Sequence, residues 1–417
     1  MVDICVLGLG YIGLPTAAVL AASGCRVLGV DSNPEVLRIL GRGEIHIEEP
    51  GLKTVVRAAV QSGGLRVGER PEAADVFIIA VPTPLTADKR ADMAHVAAAT
   101  EALAPLLRAG NLVVLESTSP PGTCMEMIKP VMERGGLRVG TDVFLAHCPE
   151  RVLPGRILTE LIANDRVIGG ADRASAERAR EVYARFVEGE IFLTDATTAE
   201  MVKLAENTFR DVNVALANEA ALLCERLGID YGEVARFANR HPRVSLLRSG
   251  PGVGGHCIPV DPWFLVERFP EDTPLIGLAR RRNDAMPAHV AGRVLALLEG
   301  AEAPAAAVLG MAYKGNVDDL RGSPALDVAR RLAAAGVAVR AHDPLARNAP
   351  LWNHSLEECL AGADALAVVT AHDAFAGIDP DWAAGLMRGR TVYDAVRLLD
   401  AAWWRAAGFR VEVLGGG

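Results

Sequence analysis

Residues 250–264 read GPGVGGHCIPVDPWF: four glycines and three prolines surround one cysteine, Cys257, and Asp261 follows four residues on. Glycine and proline fix the path of a backbone, so this loop is built to put a thiol somewhere. A lone cysteine in a turn is more often inert than reactive, but glycines grant access and Asp261 can sit near the thiol or a reactive water. Beside a hydride acceptor such a thiol has a definite use. Oxidation of a primary alcohol gives an aldehyde, and thiol addition turns that into a thiohemiacetal. A second oxidation gives a thioester, which water cleaves to the acid.

A hydride acceptor is what the N-terminus suggests. Gly8-Leu-Gly10-Tyr11-Ile12-Gly13 follows a strand-like run and opens a helix, and Asp31 ends the next strand. In that pattern the first glycine makes the tight turn, the second lets pyrophosphate reach the backbone, and the third packs helix on strand. The alternative is a tight turn without ligand. An acidic residue at the position of Asp31 accepts from ribose hydroxyls and disfavours a 2′-phosphate, so the expected cofactor is NAD.

Lysine usage marks two further places. Of 43 basic residues only Lys53, Lys89, Lys129, Lys203 and Lys314 are lysine. Lys203 and Asn207 lie four apart, on one face of a helix, and are either an oxyanion-stabilising pair or a solvated lysine beside an amide. Lys314 and Arg321 occupy the turn GMAYKGNVDDLRGSP, where they suit either a second phosphate ligand or a solvated basic loop.

The elements that must hold these residues are readable in outline. VDICVLGLG, CRVLGVD, ADVFIIAVP, NLVVLEST and DVFLAHCP are near-continuous apolar runs alternating with helical patterns, as in a parallel α/β sheet covered on both faces. From Thr197 to Leu227 there is neither Gly nor Pro, Gly228 supplies a stop, and Thr197 with Glu200 reads as a capping box. One helix of that length spans roughly 45 Å and would serve as a spine between domains. Near the end AAVLGMAYKG, GVAVRAHDP and ADALAVVT echo GLGYIG, GCRVLGVDS and ADVFIIAVPT. The expected fold is therefore α/β: two Rossmann-like parallel-sheet domains joined by a long central helix within an all-helical middle domain. The boundaries fall at 1–196 for the NAD-binding domain, 197–300 for the helical domain and 301–417 for a second nucleotide-binding domain.

At 417 residues the chain is too long for one core. A net charge of -9 argues against nucleic acid or an anionic membrane surface as partner. No apolar run approaches the ~20 residues of a membrane span, and the N-terminus carries no signal-peptide pattern. The seven cysteines form no CxxC pair, so they read as reduced thiols of a cytoplasmic protein, with no metal site.

Taken in order, GLGYIGLP, AVPTPL, ESTSPPGT, HCPERVLPG, AEMVKLAENTFRDVNVALANE, HPRVSLLRSGPGVGGHCIPVDPWF and YKGNVDDLRGSPA resemble the UDP-glucose/GDP-mannose 6-dehydrogenase family over essentially the whole chain. The resemblance implies a four-electron oxidation of a nucleotide sugar with two NAD per turnover. Cys257 would be the nucleophile, Lys203 and Asn207 would stabilise the oxyanion and position the 6-hydroxyl, and Asp261 would assist proton transfer and hold the lysine. Glu150 matches a carboxylate linked to thioester hydrolysis, and Thr118 a residue near the reactive water. Tyr11, Ile12, Pro82, Thr83 and Thr118 join the glycines and Asp31 on the cofactor side. On the substrate side stand Glu150, Arg151, Val152, Lys203, Asn207 and Arg210. His241, Arg243, Gly254, Lys314 and Arg321 complete that set, with Arg243 offered by a neighbouring subunit of a homodimer built on the long helix. With HPRV before it and VDPWF after it, the cysteine loop most resembles members of the family that act on UDP-N-acetyl-D-mannosamine, and the resemblance implies that sugar; UDP-glucose, UDP-N-acetylglucosamine and GDP-mannose are the alternatives. Gly315 and Gly322 depart from the family's usual Pro and Glu. Outside the family, a single-oxidation β-hydroxyacid dehydrogenase shares the opening and a spine lysine, and a nucleotide-sugar binder without catalysis would share the folds.

Overall fold

The computed structural model describes residues 2–346 and 353–416. By internal contacts the chain divides into two bodies, Met1–Glu206 with Trp263–Phe269, and Asn207–Pro262 with Pro270–Gly417.

The first body is built on an eight-stranded sheet: β1 (Val2–Leu7), β2 (Val27–Val30), β3 (Leu65–Gly68), β4 (Ala74–Ile79), β5 (Leu112–Leu115), β6 (Phe144–His147), β7 (Arg166–Gly170) and β8 (Ile191–Asp195). Their order is β3-β2-β1-β4-β5-β6-β7-β8. Alternate residues of β1 enter opposite cores: Ile4 and Val6 pack on one face, Cys5 and Leu7 on the other. Both faces are apolar because both are covered, which is why the strands read as unbroken apolar runs. β1 to β6 are parallel, but β7 pairs antiparallel with β6, and β8 is parallel to β7. Sequence reading expected a parallel sheet and did not single out β3, β7 or β8. The reversal at β7 follows from a return that places the strand beside its predecessor without a full crossover.

The second body carries a five-stranded parallel sheet in the order β10-β9-β11-β12-β13. Its strands are β9 (Ala305–Leu309), β10 (Ala338–His342), β11 (Ala365–Val368), β12 (Thr391–Asp394) and β13 (Arg410–Val413). Again the residues alternate, Ala306 and Val308 to one core, Ala307 and Leu309 to the other.

The expected spine is one helix, Ala196–Leu227, and the division between the bodies falls within it, after Glu206. Its stop is as expected: Gly228 takes φ +68°, a conformation costly for any residue with a Cβ. Its start is not. Asp195 supplies the cap, accepting from the Thr198 backbone N–H and hydroxyl. Glu200, expected to close a capping box with Thr197, turns away and accepts instead from the N–H groups of Gly122 and Cys124. A buried pair of orphan amides at the start of another helix outbids a solvent-exposed cap.

Candidate active site

In the first body the candidate residues gather at the carboxyl ends of the strands, where open α/β sheets bind ligands. Gly8 has φ +90°, and a Cβ there would meet the Ala80 carbonyl at 2.6 Å. A Cβ on Gly13 would lie 1.9 Å from the Gly8 carbonyl. A Cβ on Gly10 would meet nothing within 4 Å. The first and third glycines are therefore demanded by the turn and by helix packing, whereas the second keeps space open in front of the helix Gly13–Ala22. That open cradle is what a pyrophosphate needs, and it separates a ligand site from a merely tight turn. Asp31 binds the same turn, its Oδ2 accepting from Leu9 N–H at 3.0 Å and its Oδ1 from Asn33 N–H at 2.9 Å. The residues fit NAD. Tyr11 packs against the core beside this turn, and Ile12 precedes the first turn of the helix. His46, which sequence reading missed, stands near Asp31 and is held toward its neutral form by burial.

Pro82 and Thr83 follow β4, and Thr118 follows β5. The Thr83 hydroxyl donates to the Thr118 carbonyl at 2.7 Å, and the Ser117 hydroxyl to the Val81 carbonyl at 2.7 Å. The two loops are thus tied together as one edge of the crevice.

Glu150 follows β6 and is buried, with Oε2 2.9 Å from the Arg166 guanidinium and Oε1 accepting from Arg151 N–H at 2.7 Å. Arg151, assigned to substrate, pairs through its guanidinium with Glu206 at 2.5 Å and donates to the Asp165 carbonyl. Val152 packs against the core. Buried Glu49 caps the loop from the other side by accepting from Gly155 and Ile157 N–H, a contact with no signature in the sequence. Lys203 stands one turn beyond Glu200 on the long helix. Its charge bears on His147, which burial above all drives down to a pKa of about 3. Cys124, His147 and Glu200 bring donor atoms within 4.8 Å of one another, all buried. Both Glu200 oxygens are engaged by backbone amides, and the group reads as the anchored foot of the helix.

In the second body Cys257 lies in a loop before the helix Asp261–Arg268, its carbonyl accepting from the Val260 and Asp261 N–H groups. Asn207 Nδ2 donates to Asp261 Oδ2, so the amide on the spine and the carboxylate after the thiol share a bond across 54 residues of sequence. The glycines have separate reasons. Gly252 and Gly255 take φ +130° and +89°. A Cβ on Gly254 would strike Pro324 and Tyr313 at 2.7 Å and the Gly322 carbonyl at 2.8 Å. Gly255 N–H donates to the Arg321 carbonyl at 3.0 Å. The cysteine loop is therefore pressed, backbone to backbone, on the turn that carries Lys314 and Arg321.

Two of the departures from the family pattern have local causes; the third, Arg248-Ser249 on the approach to the cysteine loop, has no structural explanation. A Cβ on Gly315 would lie 1.9 Å from the Ala371 carbonyl, and Gly322 takes φ +57°. Arg321 is bound to Asp319 at 2.6 Å. Burial lowers the Lys314 ammonium below its ordinary range, with Asp319 partly restoring it. Arg210, His241 and Arg243 are exposed, the first on the spine and the other two past the helix Tyr231–Ala238.

A buried polar ladder missed in the sequence holds the loop's entry. Arg280 pairs with Asp211, Asn283 donates to Asp211 and accepts from Asn218, and the Asn218 side-chain Oδ1 accepts from the N–H of Gly250.

Comparison with known proteins fits both bodies. Models of the UDP-glucose/GDP-mannose dehydrogenase family match at residues 2–187 (NAD binding domain), 197–285 (central domain) and 307–401 (UDP binding domain). A UDP-N-acetyl-D-mannosamine dehydrogenase of Methanococcus maripaludis is 46% identical over 423 residues, covering 99% of this chain and 97% of that protein. An NDP-N-acetyl-D-galactosaminuronic acid dehydrogenase of Ralstonia solanacearum is 44% identical over 391 residues, covering 91% of this chain and 92% of that protein. Among solved structures, the UDP-D-ManNAc dehydrogenase of Pyrococcus horikoshii has a TM-score of 0.93 at 44% identity and covers 99% of both chains. No helix among the described residues is long and apolar enough to cross a membrane.

Proposed function

The chain belongs to the UDP-glucose/GDP-mannose dehydrogenase family and is an NAD-dependent nucleotide-sugar dehydrogenase, an oxidoreductase; from that premise we propose that it oxidises UDP-N-acetyl-D-mannosamine at C6 to the uronate through a thioester on Cys257. The observation that carries this reading is the seating of the Cys257 loop on the Lys314–Arg321 turn. A thiol fixed to the turn that would hold the nucleotide diphosphate is a thiol placed to reach the sugar.

NAD, when bound, supplies the hydride acceptor for both oxidations. The chain's own groups do the rest. The alcohol loses a hydride from C6 and a proton from its oxygen, and the Cys257 sulfur then adds to the aldehyde carbon. Lys203 and Asn207 stabilise the oxyanion that forms, and Asp261, which accepts from Asn207, fixes that amide and takes part in proton transfer. Loss of the remaining C6 hydride gives the thioester. Water activated by Glu150, with Thr118 nearby, adds to the carbonyl; the C–S bond breaks and the thiol is recovered. Arg151, Val152, Arg210, His241 and Gly254 line the sugar side, and Lys314 and Arg321 take the phosphates.

Three parts divide this labour, 1–196 for NAD, 197–300 for the thiol and dimerisation, and 301–417 for the nucleotide of the substrate. On the spine Phe209, Leu216 and Leu223 repeat every seven residues and are 71%, 53% and 56% exposed. An apolar stripe at heptad spacing seeks a like stripe, which supports a homodimer in which Arg243 reaches the partner's site. The protein works in the cytoplasm, where its seven cysteines stay reduced.

Counting NADH per UDP-N-acetyl-D-mannosamine consumed tests the mechanism: two are expected, and one would make this a single-step dehydrogenase. The relative that acts on an N-acetylgalactosaminuronic acid nucleotide favours a second reading of the sugar. Parallel turnover of UDP-N-acetyl-D-mannosamine, UDP-N-acetylgalactosamine, UDP-N-acetylglucosamine, UDP-glucose and GDP-mannose decides between them.

A further inference from the structure

Behind Glu150, within the first body, lies a buried charged cluster larger than one ion pair. Arg166 at the start of β7 is 5% exposed and reaches the Glu150 carboxylate at 2.9 Å and the Leu161 carbonyl at 3.3 Å. Its guanidinium lies 5.1 Å from the centre of the Tyr183 ring and 5.6 Å from that of Phe186, with Cys148 Sγ at 3.7 Å. A second carboxyl joins from the end of β5. Glu116, 2% exposed, accepts from the Tyr183 hydroxyl at 2.6 Å and from the Thr16 hydroxyl at 3.3 Å. The groups facing Glu116 are therefore Thr16 from the helix Gly13–Ala22, Tyr183 from the helix Arg173–Tyr183, Arg166 from β7, and Cys148 and Glu150 from the segment after β6.

One guanidinium balances one carboxylate. Arg166 with Glu150 is already neutral, so a second buried acid is not needed for charge balance, and a glutamine could accept from Tyr183 through its oxygen and donate to Thr16 through its amide at less cost. Burial first, and then the Glu150 charge, push the Glu116 carboxyl up to about 7, with Arg166 pulling it back. This second acid thus changes charge near neutral pH.

We propose that Arg166 and Glu116 are positioning residues for the Glu150 carboxylate: Arg166 fixes its orientation, and Glu116 sets its basicity by holding or releasing one proton behind it. This rests on the reading of Glu150 as the base of thioester hydrolysis. In that step the water oxygen bonds to the carbonyl carbon, its proton passes to Glu150, and the C–S bond breaks to leave the Cys257 sulfur, with no change of oxidation state. When Glu116 is ionised, the like charge favours proton uptake by Glu150 and the step quickens; when Glu116 is neutral, Glu150 is a weaker base.

The test follows the Cys257-linked acyl-enzyme by intact mass during turnover, together with the rate of the first hydride transfer, from about pH 6 to about pH 8.5. Wild type should show acyl-enzyme falling through a midpoint near neutrality. Glu116→Gln can still meet both hydroxyls, accepting from Tyr183 and donating to Thr16, but loses the ionisation, so acyl-enzyme stays high by about tenfold at the alkaline end, while first hydride transfer and NAD affinity are unchanged. Arg166→Lys, which cannot reproduce the fork, should accumulate acyl-enzyme at every pH. Tyr183→Phe removes a bond that lowers the Glu116 value, so the midpoint moves to higher pH. Wild-type pH dependence in Glu116→Gln overturns the inference. Should that variant fail to fold, an unmoved midpoint in Tyr183→Phe overturns it instead. Glu150→Gln separates the two claims: if it accumulates no acyl-enzyme, the reading of Glu150 itself fails.

Discussion

The two sheets begin alike and end differently. Gly8 after β1 and Gly310 after β9 both take φ +90°, and Asp31 after β2 and Asp343 after β10 both accept backbone N–H from the turn opposite. In the first body Asp31 accepts two amides and remains half-buried, while Gly10 leaves the cradle open. In the second, Asp343 is 3% exposed and takes the N–H groups of Met311, Ala312, Leu345 and Ala346. His372 adds a fifth contact at 3.1 Å. Burial raises Asp343, but His372 and the amides outweigh it and hold the carboxyl below the usual carboxylate range. The same position in the same topology is a half-buried carboxylate beside an open cradle in one sheet and a structural knot in the other. Where the aspartate is consumed by the fold, the proposed recognition of the nucleotide passes to side chains on the turn, Lys314 and Arg321. The topology sets where a nucleotide can bind; how it is gripped depends on which backbone amides are left unclaimed.

The widest gap should therefore open between two matched substitutions. Asp343→Ala strands three buried amides, a part-buried one and an imidazole and should cost about 3–5 kcal/mol, seen as an early or separate transition in thermal unfolding. Asp31→Ala should leave unfolding nearly unchanged while weakening NAD roughly tenfold or more and UDP hardly at all, by calorimetric titration. Equal melting curves, or a larger loss of UDP than of NAD in Asp31→Ala, would break the comparison. A smaller contrast comes from glycines. Gly315→Ala drives a Cβ into the Ala371 carbonyl and should destabilise by about 1–3 kcal/mol. Gly10→Ala meets nothing within the chain, so it should fold as wild type and lose NAD affinity alone.

How far these differences could be read beforehand depends on what kind of signal each residue leaves. Gly8, Gly13 and the long helix were legible because turn chemistry and the absence of Gly and Pro are local facts. Cys257 stood out because the glycines that seat it are its neighbours in sequence. Glu200 was misread because its true partners, Gly122 and Cys124, lie more than seventy residues away, while a false partner lay three residues away. Glu116 and Tyr183 meet across 67 residues, and Asp211 and Arg280 across 69. Periodicity can show that such a side chain faces inward, but not which buried charge it will find. The reversal at β7 escaped for the same reason, since strand direction is set by packing of the return and not by composition.

The smallest expected effect bears on how the second turn grips phosphate. Burial disfavours the charged form of Lys314, and Asp319 restores only part of the loss, so this ammonium sheds its proton below the ordinary lysine range. Phosphate binding needs the charged form, and affinity for UDP should fall as pH rises toward that lowered value. A progressive loss of affinity is expected by calorimetry as pH rises into the alkaline range below the ordinary lysine value. Lys314→Arg carries a charge that alkali does not remove in this range, so its affinity for UDP should stay flat even if lower at neutral pH. Binding of NAD, resting on backbone amides of the first turn, should not follow the Lys314 titration. If UDP and NAD affinities decline together in wild type, or if Lys314→Arg declines as steeply as wild type, then side-chain capture does not distinguish the second sheet from the first.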